Sequence, residues 1–174
     1  TYFASRSAPL LYLPVRGGAV DPVKLWMRAL DGAADGKPST KLGQNAIRDW
    51  MQDHPGHRSF SVLRHPLARA HAVFCHRILN TGEGGYGGIR TTLKRRYKLP
   101  LPDDPTDASY DKAAHRTAFA AFLTFLKGNL NGQTAIRIDP DWATQAKTVE
   151  GFAEFVLPDR LMREGTVAHE LAEL

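Results

Sequence analysis

Cys75 is the only cysteine in the chain. An internal disulfide framework is therefore excluded, and with it the small stapled scaffolds of secreted proteins. There is no Asn-x-Ser/Thr glycosylation acceptor and no Gly-Lys-Ser/Thr, which removes the phosphate-loop kinases. No apolar run approaches the roughly 20 residues that span a bilayer, and no signal-peptide pattern is evident. The cytoplasm is the default location, and a chain starting at Thr1 leaves room for a segment upstream. No repeat is visible. What is present is ordinary for a globular protein: 174 residues, 43% hydrophobic and 24% charged, which predicts a single domain over 1–174 with a real core. The net charge of +5 and the pI near 9.5 favour anionic partners without selecting among nucleotides, acidic polysaccharides and nucleic acid.

The pattern is clearest over residues 59–79. Residues 60–63 are short, apolar and β-prone, and read as a buried strand. Arg64-His65-Pro66 turns the chain, with Pro66 well placed as the first residue of a helix. Leu67, Ala70, Phe74 and Ile78 then recur at helical spacing as one apolar stripe. An arginine where a strand gives way to a helix N-terminus suits an anion; it equally suits an ordinary strand-turn-helix with a solvated side chain. Cys75 lies beside the stripe and reads as packing.

Residues 10–15 form a first expected strand. A glycine-containing turn follows, and then a helix with Asp21 as N-cap and Pro22 at its first position. Val23, Trp26, Met27 and Leu30 make its buried face. Strand, glycine loop and helix is how a phosphate cradle is built, and also how many α/β connections are built.

Residues 31–41 read as a loop and 42–51 as a helix with Ile47, Trp50 and Met51 inward. His54 and His57 bracket a Pro-Gly turn with no third ligand nearby, a poor metal pair. Residues 80–88 hold five glycines and read as a mobile loop. Arg90, Lys94, Arg95, Arg96 and Lys98 put five cations within nine residues; they are either a contact for an acidic ligand or a solvated helix face. No nucleic-acid motif accompanies them, so nucleic acid is not an expected partner. Ser109 is the expected cap of a helix to about Lys127, with Ala118, Phe119, Phe122, Leu123 and Leu126 as its stripe and His115 on the same side. Residues 152–157 are the expected closing strand, and Pro158 the start of a closing helix with Leu161, Val167, Leu171 and Leu174 inward.

The run Val62-Leu63-Arg64-His65-Pro66-Leu67-Ala68-Arg69-Ala70-His71-Ala72-Val73-Phe74 resembles the 3′-phosphate-binding segment of the sulfotransferases that use 3′-phosphoadenosine-5′-phosphosulfate (PAPS). It is most similar to the carbohydrate and nodulation-type branch. That pattern's two arginines fall on Arg64 and Arg69, its proline on Pro66, and its serine on Ala72. The turn after the first strand, with Arg16, Gly17, Gly18, Ala19 and Val20, resembles the loop that holds the 5′-phosphosulfate. Arg16 stands in the place of a lysine, and Lys24 lies one turn into the helix. Asp21 would oppose a phosphate at the positive end of that helix. Later, Trp142 and Gln145 match a His-Trp-x-Pro-Gln motif, with Asp141 and Thr144 at its other positions.

The resemblance implies a three-layer α/β domain, P-loop-NTPase-like, with a mainly parallel sheet flanked by helices. It implies a sulfotransferase moving a sulfuryl group from PAPS, as co-substrate, to a hydroxyl of a carbohydrate or glycolipid. No metal is implied. Arg16, Gly17, Gly18, Ala19, Val20 and Lys24 would lie at the 5′-phosphosulfate, and Arg64, Arg69 and Ala72 at the 3′-phosphate. His71, His76 and His115 are the candidate bases, without a choice among them. The alternative is a non-catalytic domain of the same fold that binds a nucleotide or glycan, or supports a partner enzyme.

Overall fold

A computed structural model describes residues 1–32 and 40–174; the part of the expected 31–41 loop at 33–39 lies outside the described residues. The chain forms two compact units. One comprises Thr1–His65 and Thr144–Leu174, and the other comprises Pro66–Ala143.

The first unit is α/β. Its strands are β1 (Tyr2–Ala4), β2 (Leu10–Tyr12), β3 (Thr40–Leu42), β4 (Arg58–Leu63) and β5 (Arg160–Arg163), and its helices are α1 (Val20–Leu30), α2 (Gln44–Asp53), α6 (Gln145–Phe152) and α7 (Val167–Ala172). The sheet order is β3-β1-β2-β4-β5. β2 pairs parallel with β4, and β4 with β5; β1 pairs antiparallel with both β2 and β3. The sheet is therefore mixed rather than mainly parallel. A short hairpin connection between β1 and β2 forces antiparallel pairing there, whereas the helical crossovers further on return parallel strands.

Alternation along the strands assigns the two faces. Tyr2, Ala4, Leu11 and Leu13 pack with Ile47 of α2 and Phe152 of α6. Tyr12, Phe60, Val62 and Met162 pack with Val23 and Met27 of α1 and Leu171 of α7. Helices thus cover both faces. The rings of Tyr12 and Phe60 stack at 5.1 Å, and Trp26 meets Phe60 edge-on. Each such fully buried large side chain contributes about 1.5–3 kcal/mol.

Several boundaries differ from expectation. Asp21 lies inside the first turn of α1 rather than at its cap, which is Ala19, and among the described residues no side chain caps the helix. The closing strand is Arg160–Arg163, and residues 152–157 hold the end of α6 and a turn. Pairing decides this: Arg160 to Arg163 match Phe60 to Leu63 in parallel register, which buries Met162. Leu161, expected inward on a helix, faces out at 50% exposure.

The second unit is helical: α3 (Pro66–Val73), α4 (Gly87–Arg95) and α5 (Lys112–Leu130). Pro66 begins α3 as its pyrrolidine ring favours. The chain then continues as a π-helical stretch, Phe74–Leu79. The wider π turn breaks the 3.6-residue period. Phe74, Ile78 and Leu79 are buried together, while Leu67, expected on the same stripe, is 51% exposed. Asp111, not Ser109, caps α5, its carboxylate accepting from the Ala114 N–H at 2.8 Å. Phe122, Phe125 and Leu126 of α5 pack against Phe74, Ile78, Leu93 and Trp142. The glycine-rich segment is tied down by Tyr86 N–H to Arg77 O (2.7 Å) and by Arg77 Nη1 to Gly84 O (2.8 Å). Among the described residues, no helix is long and apolar enough to cross a membrane.

Candidate functional site

In an α/β sheet, ligands bind beyond the carboxyl ends of the parallel strands. At that edge of the first unit, the residues after β2 make a tight turn closed by Gly18 N–H to Val15 O at 3.2 Å. Gly17 has φ +74°, a left-handed conformation that glycine adopts without penalty. A Cβ on Gly18 would stand 3.1 Å from Val15 O and 3.6 Å from Val62 O. The glycine turn after β2 therefore rests against the end of β4, and Arg16 to Gly18 share one edge with Arg64. Ala19 is buried beneath the turn, and Val20 opens α1.

Arg64 is held in two ways. Gln145, the first residue of α6, accepts from the Arg64 N–H through Oε1 (3.0 Å) and donates to the Arg64 carbonyl through Nε2 (2.7 Å). One amide thus acts as a neighbouring strand would, just where the ladder ends. The Arg64 guanidinium pairs with Glu164, Nε to Oε2 at 2.9 Å, although the buried Nε–H is not aligned for a hydrogen bond. Leu63 pairs with Arg163, so the next residue on each strand is one member of this ion pair.

Acids also limit the helix end. Lys24 Nζ lies 3.1 Å from Asp21 Oδ1. Val20 N–H goes to Gly18 O, Pro22 has no N–H, and Val23 N–H goes to Ala19 O, so the first turn of α1 leaves few backbone donors for an anion. Below it, the Tyr12 hydroxyl is buried without a hydrogen-bond partner among the described residues. Burial first, and then the charges of Asp21 and Glu164, push its pKa well above the ordinary tyrosine value.

A cavity of about 550 Å³ in this unit opens at the other edge, among Pro9, Leu10, Trp26, Arg58, Leu171 and Leu174. Its lining is mostly apolar, and it contains none of the expected phosphate-binding residues.

The other expected site residues belong to the second unit. Arg69 is 5% exposed, and its guanidinium donates to Ala143 O (2.7 Å) and Pro140 O (3.1 Å). Burial lowers its pKa, and Asp141 partly offsets this. Ala72 is half-buried and brings no hydroxyl. Asp141 is a buried counterion, its Oδ2 accepting from Arg77 Nε at 2.9 Å and Tyr86 OH at 2.7 Å. Burial and the Asp141 hydrogen bond raise the pKa of Tyr86. Trp142 Nε1–H donates to Asn129 Oδ1 at 2.8 Å. In the basic run, Arg90 is buried with its guanidinium on the Ile78 and Pro102 carbonyls, and Lys94 is paired with Asp103; Arg95, Arg96 and Lys98 are exposed.

Of the three candidate bases, His76 is exposed. The other two meet: His71 Nε2 and His115 Nε2 are 2.9 Å apart, and Cys75 Sγ lies 3.7 Å from His71 Nε2. Burial, then the neighbouring His71, lowers the pKa of His115, and burial raises that of Cys75. His54 and His57 are used locally, each through Nδ1 on a backbone carbonyl.

No family model, curated protein or solved structure matches this chain. The function therefore rests on the geometry. Three features of that geometry escape a reading in sequence order. Gln145 was visible only as a motif position, not as a backbone clamp. Glu164 carries no signal in sequence order, because the residues before it read as a closing helix, whereas Arg160–Arg163 form β5. Cys75 and His71 are spaced i, i+4, which puts both on one helix face, but their partner lies 44 residues from His71.

Proposed function

We propose that the chain binds a 3′,5′-bisphosphorylated adenosine donor at the carboxyl edge of β2 and β4, and transfers a sulfuryl group from PAPS to a hydroxyl of a carbohydrate or glycolipid. The observation that carries this reading is the closeness of the Gly18 turn, three to six residues beyond β2, to Val62 near the end of β4, where a Cβ on Gly18 would stand 3.6 Å from Val62 O. It supports a site in which the Arg16–Gly17–Gly18 turn and Arg64 act together at one edge of the α/β sheet, as a P-loop-like layer would use them. Arg16 and the backbone of Gly17 and Gly18 face the 5′-phosphosulfate, and Arg64 the 3′-phosphate. In the transfer, the acceptor oxygen attacks sulfur in line and the bond from sulfur to the 5′-phosphate oxygen breaks. The hydroxyl proton passes to a base, and the charge on the equatorial oxygens is met by cations and backbone N–H groups. The reaction needs no metal, and the cytoplasm supplies the donor.

A second reading is favoured by a specific observation. Glu164 and Asp21 already occupy Arg64 and Lys24, as suits a non-catalytic nucleotide- or glycan-binding domain of the same fold. Titration with 3′,5′-adenosine bisphosphate and with 5′-AMP separates the readings in two steps. Tighter binding of the bisphosphate, lost in Arg64→Ala, supports the site. Sulfuryl transfer from PAPS then supports the enzyme, and binding without transfer supports the second reading. Equal, weak binding of both nucleotides refutes the site.

A further inference from the structure

His71 lies in the last turn of α3, one turn before Cys75, which sits in the π-helical stretch; His115 stands in the first turn of α5. Their ligand atoms, two imidazole nitrogens and a thiol sulfur, all lie within 4.8 Å of one another. We propose that His71, Cys75 and His115 form a site for a zinc-class divalent ion, with a solvent-facing fourth position.

The distances support this. Zinc bonds nitrogen at about 2.0–2.1 Å and thiolate at about 2.3 Å, so tetrahedral angles separate two nitrogens by about 3.3 Å and nitrogen from sulfur by about 3.6 Å. The separations here are 2.9 Å between the Nε2 atoms and 3.7 Å from Sγ to His71 Nε2. Shifts of a few tenths of an ångström bring those two separations to tetrahedral values, and the three ligand atoms all start within 4.8 Å of one another. At 2.9 Å one Nε2 can donate a hydrogen bond to the other. A bound ion takes the place of that hydrogen bond and accepts a lone pair from each nitrogen.

The surroundings hold the ligands in place. The Tyr110 hydroxyl lies 3.3 Å from His115 Nδ1. It engages the nitrogen that would not bind metal and leaves Nε2 to the ion, as outer-shell partners of metal-binding histidines do. Phe119 meets the His71 ring edge-on at 4.9 Å, and Phe74 meets His115 at 5.5 Å, which fixes both ring planes. His71 is exposed and the other two are partly buried, so the ion has an entry path and one coordination position open to water. The ligand set is borderline-soft, which favours Zn²⁺ or Co²⁺ over Mg²⁺ or Ca²⁺. Binding requires the Cys75 thiolate, so the thiol proton leaves to solvent. None of this depends on nucleotide binding or sulfuryl transfer.

The test is a Co²⁺ titration of the chelator-stripped full chain, kept reduced and followed by absorption. The expected result is one equivalent of cobalt giving a near-ultraviolet thiolate-to-metal band with visible bands of tetrahedral intensity, all bleached by one equivalent of Zn²⁺. Cys75→Ser abolishes the charge-transfer band. His115→Ala weakens cobalt affinity at least tenfold, and His169→Ala, on α7, leaves it within twofold. Cys75→Ala, a small apolar replacement, guards against misfolding: with far-ultraviolet circular dichroism unchanged, it too must lose the band. A pink six-coordinate spectrum, or a charge-transfer band that survives both Cys75 variants, overturns the proposal.

Discussion

Gln145→Ala tests how the end of β4 is held. The amide makes two hydrogen bonds to one residue, Oε1 from Arg64 N–H at 3.0 Å and Nε2 to Arg64 O at 2.7 Å. A net contribution of about 0.5–1.5 kcal/mol per hydrogen bond sets a floor near 1 kcal/mol, and stranding half-buried backbone groups adds a desolvation cost. Arg64 is only half-buried, so water recovers part of that cost, and the expected total is about 1.5–3 kcal/mol. The assay is urea unfolding: the midpoint should fall while the m-value stays constant, since the surface exposed on unfolding is unchanged. Gln145→Glu separates the two bonds. It keeps an acceptor for the N–H but sets a carboxylate oxygen against the Arg64 carbonyl, so it should recover less than half of the loss. Affinity for 3′,5′-adenosine bisphosphate should fall in both variants, because the backbone that aims Arg64 is no longer fixed. A loss below about 0.5 kcal/mol, the range of an ordinary surface substitution, would show that Gln145 does not hold the strand.

Other outcomes follow from particular contacts. Asp31 Oδ1 accepts from Ser5 Oγ, Arg6 N–H, Ser7 N–H and Ser7 Oγ. Burial alone would raise its pKa, but those bonds outweigh it and hold the carboxyl below the usual 3.8. Its stabilisation is complete above the unfolded value and is lost as pH falls through the lower folded value. Asp31→Asn should therefore flatten the acid limb of stability below pH 3.8, as measured by thermal melts across pH. A Cβ on Gly85 would overlap the Asn80 carbonyl, with the carbonyl carbon at 2.9 Å, whereas one on Gly87 meets nothing within 4 Å. Gly85→Ala should cost about 1–3 kcal/mol in chemical unfolding, and Gly87→Ala little; equal effects would refute the packing. Asp141→Leu strands Arg77, whose side chain is 40% exposed. The loss should be about 2–3 kcal/mol, below that of a fully buried pair because the guanidinium can turn to water, and Tyr86→Phe should cost about 1 kcal/mol.

The signals that survived from sequence to structure are local. Val23 and Met27 do face inward from α1, Phe60 and Val62 lie in a buried strand, Pro66 starts α3, and Ile47 is the inward residue of α2. Each depends on side-chain period and backbone propensity within one or two turns, which the order of residues already contains. Where the pattern failed, a partner distant in sequence prevailed. Arg160 to Arg163 became a strand because β4 offered an open edge in matching register. Phe74 and Ile78 of the expected stripe are buried, the π turn adds Leu79 to them, and Leu67, in the first turn of α3, is exposed.

The same division holds for the candidate sites. The residues themselves supplied a glycine turn after an apolar strand, an arginine at the end of another, and three histidines with no rank among them. Tertiary structure decided that the turn and Arg64 share an edge, that Glu164 sits on that arginine, that Arg69 spends its donors on backbone carbonyls, and that His71 and His115 stand in contact beside Cys75. The physical reason is range. Periodicity and capping act over a few residues. Ion pairs, amide clamps and ligand clusters form between segments that only strand pairing and helix packing bring together.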